Sequence, residues 1–237
     1  MRSRVTILSL FFFLSIGLVS AKPFNLLVWN IKKSNNLEWS KAFTDISKDI
    51  DFVLIQEATD QKIITETLTK TFPHYNFYKS WSSKKYTTGI ANASKVSSYY
   101  THSYLSTVTE PVLNTPKVIS LEKVKWNEKD LLIINIHAIN FRLLDAFKKY
   151  ITQVERDLKK HRGPIIFAGD FNTWSASRKN FLDRYLKSHG LVEVPIRRVH
   201  NGLHLDHIYT RGLNNISAKQ LEQKSTSDHY PLVLYVK

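Results

Sequence analysis

The 237-residue chain carries 34 Lys and Arg against 20 Asp and Glu, a formal net charge of +14, and has no cysteine. The missing thiols exclude a disulfide framework, thiolate metal sites and a cysteine nucleophile. A composition of 43% hydrophobic and 23% charged residues excludes a disordered chain and suits one large domain with a substantial core.

The first 21 residues read as a signal peptide: Arg2 and Arg4 form a basic start, Val5 to Val19 is an uncharged apolar run, and Val19-Ser20-Ala21 resembles a small-residue cleavage site. The run is shorter than the roughly 20 residues that span a bilayer, so cleavage is expected rather than membrane anchoring. The mature domain would then run over 22–237, with 32 basic against 20 acidic side chains and a net charge of +12. Such a balance favours polyanions, nucleic acid first and anionic lipid second.

Short apolar runs that read as strands follow at Leu26 to Trp29 and Phe52 to Ile55. Tyr75 to Lys125 holds no strong helical pattern and reads as strands and loops, including an alternating stretch from Val118 to Val124. Leu131 to Ile136, Ile165 to Ala168 and Leu232 to Val236 complete the strand set. A helix is predicted from Leu143 to His161, where Leu144, Phe147, Ile151, Val154 and Leu158 return on one face before Gly163-Pro164. A second runs from Arg178 to His189, with Gly190 as its stop. The mixture indicates an α/β protein with helices covering sheet faces.

The polar residues that interrupt this pattern cluster beside the apolar runs: Asn30, Gln56-Glu57, His137, Gly169-Asp170-Phe171-Asn172, Leu205-Asp206-His207 and Ser227-Asp228-His229. If the strands lie side by side, these positions converge into a pocket of carboxylates, amides and imidazoles. Hard oxygen donors suit Mg²⁺, Mn²⁺ or Ca²⁺, and such an ion can clamp a phosphate and activate water. Taken singly each has a plainer reading. Glu57 could cap a helix starting near Thr59, Asn30 could cap a turn, His137 could be a satisfied core histidine, and Asp206, Asp228 and Gly169-Asp170 could be turn residues.

Taken together and in order, Asn30-Ile31, Gln56-Glu57, Gly169-Asp170-Phe171-Asn172-Thr173, Leu205-Asp206-His207-Ile208 and Ser227-Asp228-His229-Tyr230-Pro231-Leu232 resemble the motifs of the endonuclease/exonuclease/phosphatase superfamily along nearly the whole mature chain. The resemblance implies a four-layer α/β/β/α sandwich with two packed mixed sheets. It also implies a metal-dependent phosphodiesterase in which activated water attacks phosphorus. Glu57 would hold the metal with Asn30 and Asp228 beside it, and Asp170 would orient or deprotonate the water. Asn172 would bind the phosphate, Asp206 would fix the tautomer of His229, and His137 would assist the leaving group. Lys32 stands where repair-type members often carry an acid, and the stretch from Tyr78 to Lys95 departs from the deoxyribonuclease pattern. The partner of His137 is therefore left unassigned.

These readings lead to a secreted or periplasmic, monomeric nuclease using Mg²⁺ or Mn²⁺. Trp81, Lys84, Lys85 and Tyr86 are its expected substrate contacts. Hydrolysis of a lipid or phosphoinositide is the alternative, and a binding protein that lost catalysis is disfavoured because every motif residue is present.

Overall fold

A computed structural model describes residues 22–34, 36–111, 114–200, 202–222 and 226–237. The predicted signal peptide lies outside the described residues, among which no helix is long and apolar enough to cross a membrane. Two mixed sheets form the centre. The first has the order β10 (Ile196–Arg197), β12 (Ile216–Gln220), β13 (Leu232–Val236), β1 (Phe24–Asn30), β2 (Phe52–Thr59), β4 (Thr87–Ser94), β3 (His74–Ser82). The second has the order β5 (Ser98–Leu105), β6 (Val118–Trp126), β7 (Lys129–His137), β8 (Ile165–Asp170), β11 (Asp206–Arg211), β9 (Val192–Glu193).

Alternation along each strand sorts the side chains into three apolar layers. On β1, Leu26 and Val28 pack between the sheets with Phe52, Leu54, Ile133, Ile166, Ala168 and Ile208. Leu27 and Trp29 point the other way, onto Trp39, Phe43, Ile64 and Leu68 of α1 (Leu37–Ile46) and α2 (Lys62–Thr71). The outer face of the second sheet is covered by α3 (Leu144–Ile151), α4 (Glu155–Lys160) and α5 (Ala176–Ser188) through Phe147, Ile151, Leu158, Leu182 and Leu186. The central strands are buried on both faces, which is why they read as continuous apolar runs. The architecture is the α/β/β/α sandwich.

The helix expected over Leu143 to His161 is divided: α3 gives way to a 3₁₀ turn at Thr152–Val154 before α4. Phe147, Ile151, Val154 and Leu158 still all face the core, so the packing pattern survives a change in hydrogen bonding. Glu57 caps no helix. It sits inside β2 at a bulge between Gln56 and Ala58, with φ of 54°, and α2 begins only at Lys62 after an N-cap at Gln61.

The inter-sheet layer turns polar toward one end. Gln56 donates to Asn135 (2.6 Å), Asn135 to Asn92 (2.8 Å), and Asn92 to Glu122 and Ser120 (2.9 Å each), while Tyr78 also donates to Glu122 (2.8 Å). Continuing the period of two past this ladder, Leu26-Val28 leads to Asn30, Ile133-Asn135 to His137, and Ile166-Ala168 to Asp170. The site is where the sandwich core runs out.

Fully buried Arg178 braces the loops around that end. It donates to the carbonyls of Ile139 (2.9 Å), Asn172 (3.0 Å) and Arg142 (2.7 Å), and lies against Phe147 and Trp174. Arg178→Met leaves these acceptors without their donor and is expected to cost about 2–4 kcal/mol, measured by urea unfolding with an unchanged m-value.

Candidate active site

Parallel pairing of β1 with β2 and of β7 with β8 brings four carboxy-terminal strand ends to one rim, with Asn30 opposite Gln56 and His137 opposite Asp170. Asp206 opens β11 and His229 precedes β13. Both strands run antiparallel to their neighbours, so their amino-terminal ends reach the same rim, and Asp206 pairs directly with Asp170.

Backbone strain shapes the centre. Glu57 and Asn172 adopt left-handed φ values of 54° and 50°, and Gly169, before Asp170, has a φ of 139°. A Cβ on Gly169 would lie 2.1 Å from the Ile136 carbonyl oxygen, so only glycine lets β8 approach β7 here. Such conformations cost on the order of 1–3 kcal/mol each and persist where surrounding structure over-determines them.

Asp170 is the hub. Its Oδ2 accepts from Asn30 Nδ2 (2.9 Å) and its Oδ1 from the Asn172 backbone N–H (2.9 Å). The Asn30 amide is fixed in turn because its Oδ1 accepts from the Lys32 backbone N–H (3.0 Å), so Asn30 caps a turn and also orients Asp170. Two imidazoles flank this carboxylate, His137 Nε2 at 3.7 Å and His229 Nε2 at 3.8 Å. His229 Nδ1 lies 2.8 Å from Asp206 Oδ2, and its backbone is held by Ser227 and by Trp29 Nε1.

The charges are split by environment. Burial and the negative charge of Asp206 push the Asp170 carboxyl up to about 7, with His229 and the Asn172 and Asn30 donors opposing. Burial works against a charged His229, but Asp206, Asp170 and Asp228 outweigh it and raise the ring to about 10. His137 is driven well below the usual histidine range by burial, then by Lys117, His229 and Lys33. Near neutrality the rim therefore holds a cationic His229, a neutral His137, and an Asp170 poised to exchange a proton.

Asn172 Nδ2 donates to the Ala138 carbonyl (2.9 Å), leaving its second amide hydrogen for a ligand. Thr173 Oγ1 lies 2.6 Å from His207 Nε2, whose Nδ1 is 2.5 Å from Glu193. This brace behind the Asp170–Thr173 segment was not read from sequence. It follows from alternation: Asp206 faces the rim, so His207 faces the helices.

The expected metal residues carry cationic partners. Glu57 pairs with Lys33 at 2.5 Å and its other oxygen is 3.9 Å from His137 Nε2, while Asp228 pairs with Lys32 at 2.8 Å at the surface. A cation on Glu57 therefore has to compete with the Lys33 ammonium. Asp170, Asp206 and His229 offer ligand atoms within 4.8 Å of one another, and Asp206 Oδ1 is buried without a hydrogen-bond partner. The two carboxylates fit a hard divalent ion, whereas His229 as a cation has no lone pair to offer it. Lys84 and Lys85 stand across the rim in a cleft of about 470 Å³ whose inner wall includes Glu57 and His137.

The family profile described as Endonuclease/Exonuclease/phosphatase matches residues 27–229, from β1 to His229. The chain belongs to this family. Among its relatives, a UPF0294 protein of Vibrio cholerae is 33% identical over 217 residues, covering 89% of this chain and 76% of the relative. Similar solved structures include a family member from Leptotrichia buccalis (TM-score 0.69, 16% identity, 90% of this chain and 99% of that one). Sphingomyelinase C from Streptomyces griseocarneus gives a TM-score of 0.71 at 13% identity, with 91% and 100% covered. A Staphylococcus aureus beta toxin variant with bound magnesium ions gives 0.72 at 15%, with 91% and 100% covered. The family comprises divalent-metal-dependent hydrolases of phosphoester bonds.

Proposed function

We propose that the chain is an exported nuclease that hydrolyses phosphodiester bonds of DNA or RNA with Mg²⁺ or Mn²⁺. The observation that carries this reading is Asp170, flanked by a cationic and a neutral imidazole, at the edge of a cleft walled by lysines. The basic balance of the chain supports a polyanionic substrate, and the apolar segment at Val5 to Val19 supports export to the periplasm or exterior.

In this scheme Asp170, oriented by Asn30 and the Asn172 N–H, takes the proton from the attacking water. His229, held by Asp206, presents Nε2 to the phosphate oxygens as a cation, and Asn172 adds an amide hydrogen bond. His137 meets the leaving oxygen. A divalent ion held by Glu57 would polarise a phosphate oxygen and offset charge on the leaving group. Glu57→Gln is expected to raise the Mg²⁺ concentration for half-maximal rate at least about tenfold, read from a metal titration of activity.

One feature favours a lipid instead. Beyond Asn172 lies a groove of about 600 Å³ lined by Phe141, Leu143, Trp174 and Leu203, and Leu143 is 86% exposed. Exposed apolar clusters of this kind suit membrane contact. The deciding experiment runs plasmid, single-stranded DNA and RNA in parallel with sphingomyelin and phosphatidylglycerol vesicles. Cleavage of nucleic acid with vesicles untouched is expected. Headgroup release with nucleic acid intact would reverse the assignment.

A further inference from the structure

The cleft beside Glu57 and His137 has a composition that a single scissile phosphate does not use. Its walls carry Lys33, Lys84, Lys85 and Lys117 together with Trp81 and Tyr86. Lys33 is matched by Glu57 and Lys117 by Glu110 at 3.2 Å, but among the described residues Lys84 and Lys85 have no acidic partner within ion-pair distance. Two exposed, uncompensated ammonium groups therefore belong to the same cleft as Glu57 and His137.

The turn that presents them is built. The Ser83 N–H donates to the Tyr86 carbonyl (2.9 Å), and Ser83 Oγ accepts from the backbone N–H groups of Lys85 and Tyr86 (3.1 Å each). The strands leading into it are bent by an irregularity in β3 between Lys79 and Trp81, beside the one that places Glu57 in β2. Between them sits Gly89, where a Cβ would lie 2.0 Å from the Tyr78 carbonyl oxygen. These two neighbouring irregularities set Glu57 and the Trp81–Tyr86 segment. Both rings are half-buried and line the cleft.

The opposite side of Asp170 differs. The groove beyond Asn172 is largely apolar; its wall holds no lysine and a single arginine, Arg142, whose Nε donates to the Thr109 carbonyl (2.6 Å), so the lysines interleaved with aromatic rings lie on the His137 side. A volume of about 470 Å³ falls within the roughly 300–1,000 Å³ of small-molecule sites. Cationic side chains interleaved with aromatic rings suit a phosphate attached to a base, since ammonium groups hold phosphate as point charges and aromatic faces stack on any base.

We propose that this cleft is a subsite for the nucleotide unit adjoining the scissile bond on the His137 side. The second phosphate lies against Lys84, Lys85 and Lys117, and the base against Trp81 and Tyr86. The inference rests on the nuclease reading and deepens it: a good minimal substrate carries two phosphates, and a single diester without a neighbouring anion is a poor one.

The test has a binding arm and a rate arm. Thymidine 3′,5′-bisphosphate, thymidine 5′-monophosphate and the abasic deoxyribose 3′,5′-bisphosphate are titrated into the mature protein by calorimetry. Cleavage of the thymidine dinucleotide is then compared with that of the same dinucleotide bearing a terminal phosphate. The bisphosphate is expected to bind at least tenfold more tightly than the monophosphate, and the terminal phosphate to raise kcat/KM at least tenfold. Both ratios fall toward one in Lys84→Gln/Lys85→Gln, and the preference for thymidine over the abasic compound falls in Trp81→Leu. Wild-type ratios near one, or ratios unchanged in the double variant, would overturn the subsite, and equal binding of the abasic compound would overturn its base contact. Failure of the nuclease reading looks different: no diester is cleaved with Mg²⁺, while the binding arm still reads the cleft.

Discussion

Asp170→Asn is expected to lower kcat for nucleic acid cleavage by about 10³-fold or more, toward the upper part of the 10²–10⁴ range for a general base. The substitution keeps the size of the side chain and an oxygen to accept from the Asn172 N–H. The site nevertheless loses the one carboxylate that, among the described residues, lies within 4 Å of both imidazoles. An amide cannot take a proton from water. Because burial and Asp206 push the Asp170 carboxyl up to about 7, the wild-type rate should fall as pH drops through that value, as the base becomes protonated. Stability is expected to change far less than the rate, since relief of carboxylate desolvation offsets the loss of the hydrogen bond from Asn30, which the amide nitrogen cannot accept. Circular dichroism and a pH–rate profile on the same preparations check both statements.

Asp206→Asn is expected to reduce the rate about 100-fold at pH 8 and far less at pH 6. Burial alone would lower the His229 pKa; the charge and hydrogen bond of Asp206 reverse this and raise it to about 10. Without that carboxylate the ring loses its proton within the working range. The cation that meets the phosphate is then present below the lowered pKa and lost above it, so the alkaline limb moves down. The same change removes the anion that raises Asp170, which moves the acid limb down as well. A profile merely scaled down, with both limbs in place, would show that Asp206 does not set the charge of His229.

Much of the fold could be read from local pattern. The runs at Leu26, Phe52, Leu131, Ile165 and Leu232 are strands because both their faces are covered, and apolar residues at successive positions, interrupted at Asn135 where the polar ladder begins, record that. The polar residues beside them mark the rim because the period of two carries the inter-sheet face from Val28 to Asn30, from Ile133 through Asn135 to His137, and from Ala168 to Asp170. Helices α1 and α2 left a weaker trace, since each buries only two or three side chains on an otherwise polar segment.

What stayed hidden is non-local or conformational. The Glu57–Lys33 and Asp228–Lys32 pairs join residues that periodicity does not relate. The bulge that turns Glu57 into the site depends on how β4 pairs, which the residues around Gln56-Glu57 do not encode alone. Arg178 looks like a surface residue at the start of a helix, yet its guanidinium is the brace for three loop carbonyls. Asn92 begins an Asn-Ala-Ser triplet of the kind that accepts glycans, but its amide is buried between the sheets on Ser120 and Glu122.

The measurement that tests the central claim most directly is nicking of supercoiled plasmid by the mature protein with Mg²⁺, with and without EDTA, beside Asp170→Asn. Nicking that requires the metal and is lost in the variant is the expected result. Nicking that persists in EDTA or in Asp170→Asn, or its absence from the unaltered protein with Mg²⁺ or Mn²⁺, would contradict a metal-dependent nuclease centred on Asp170.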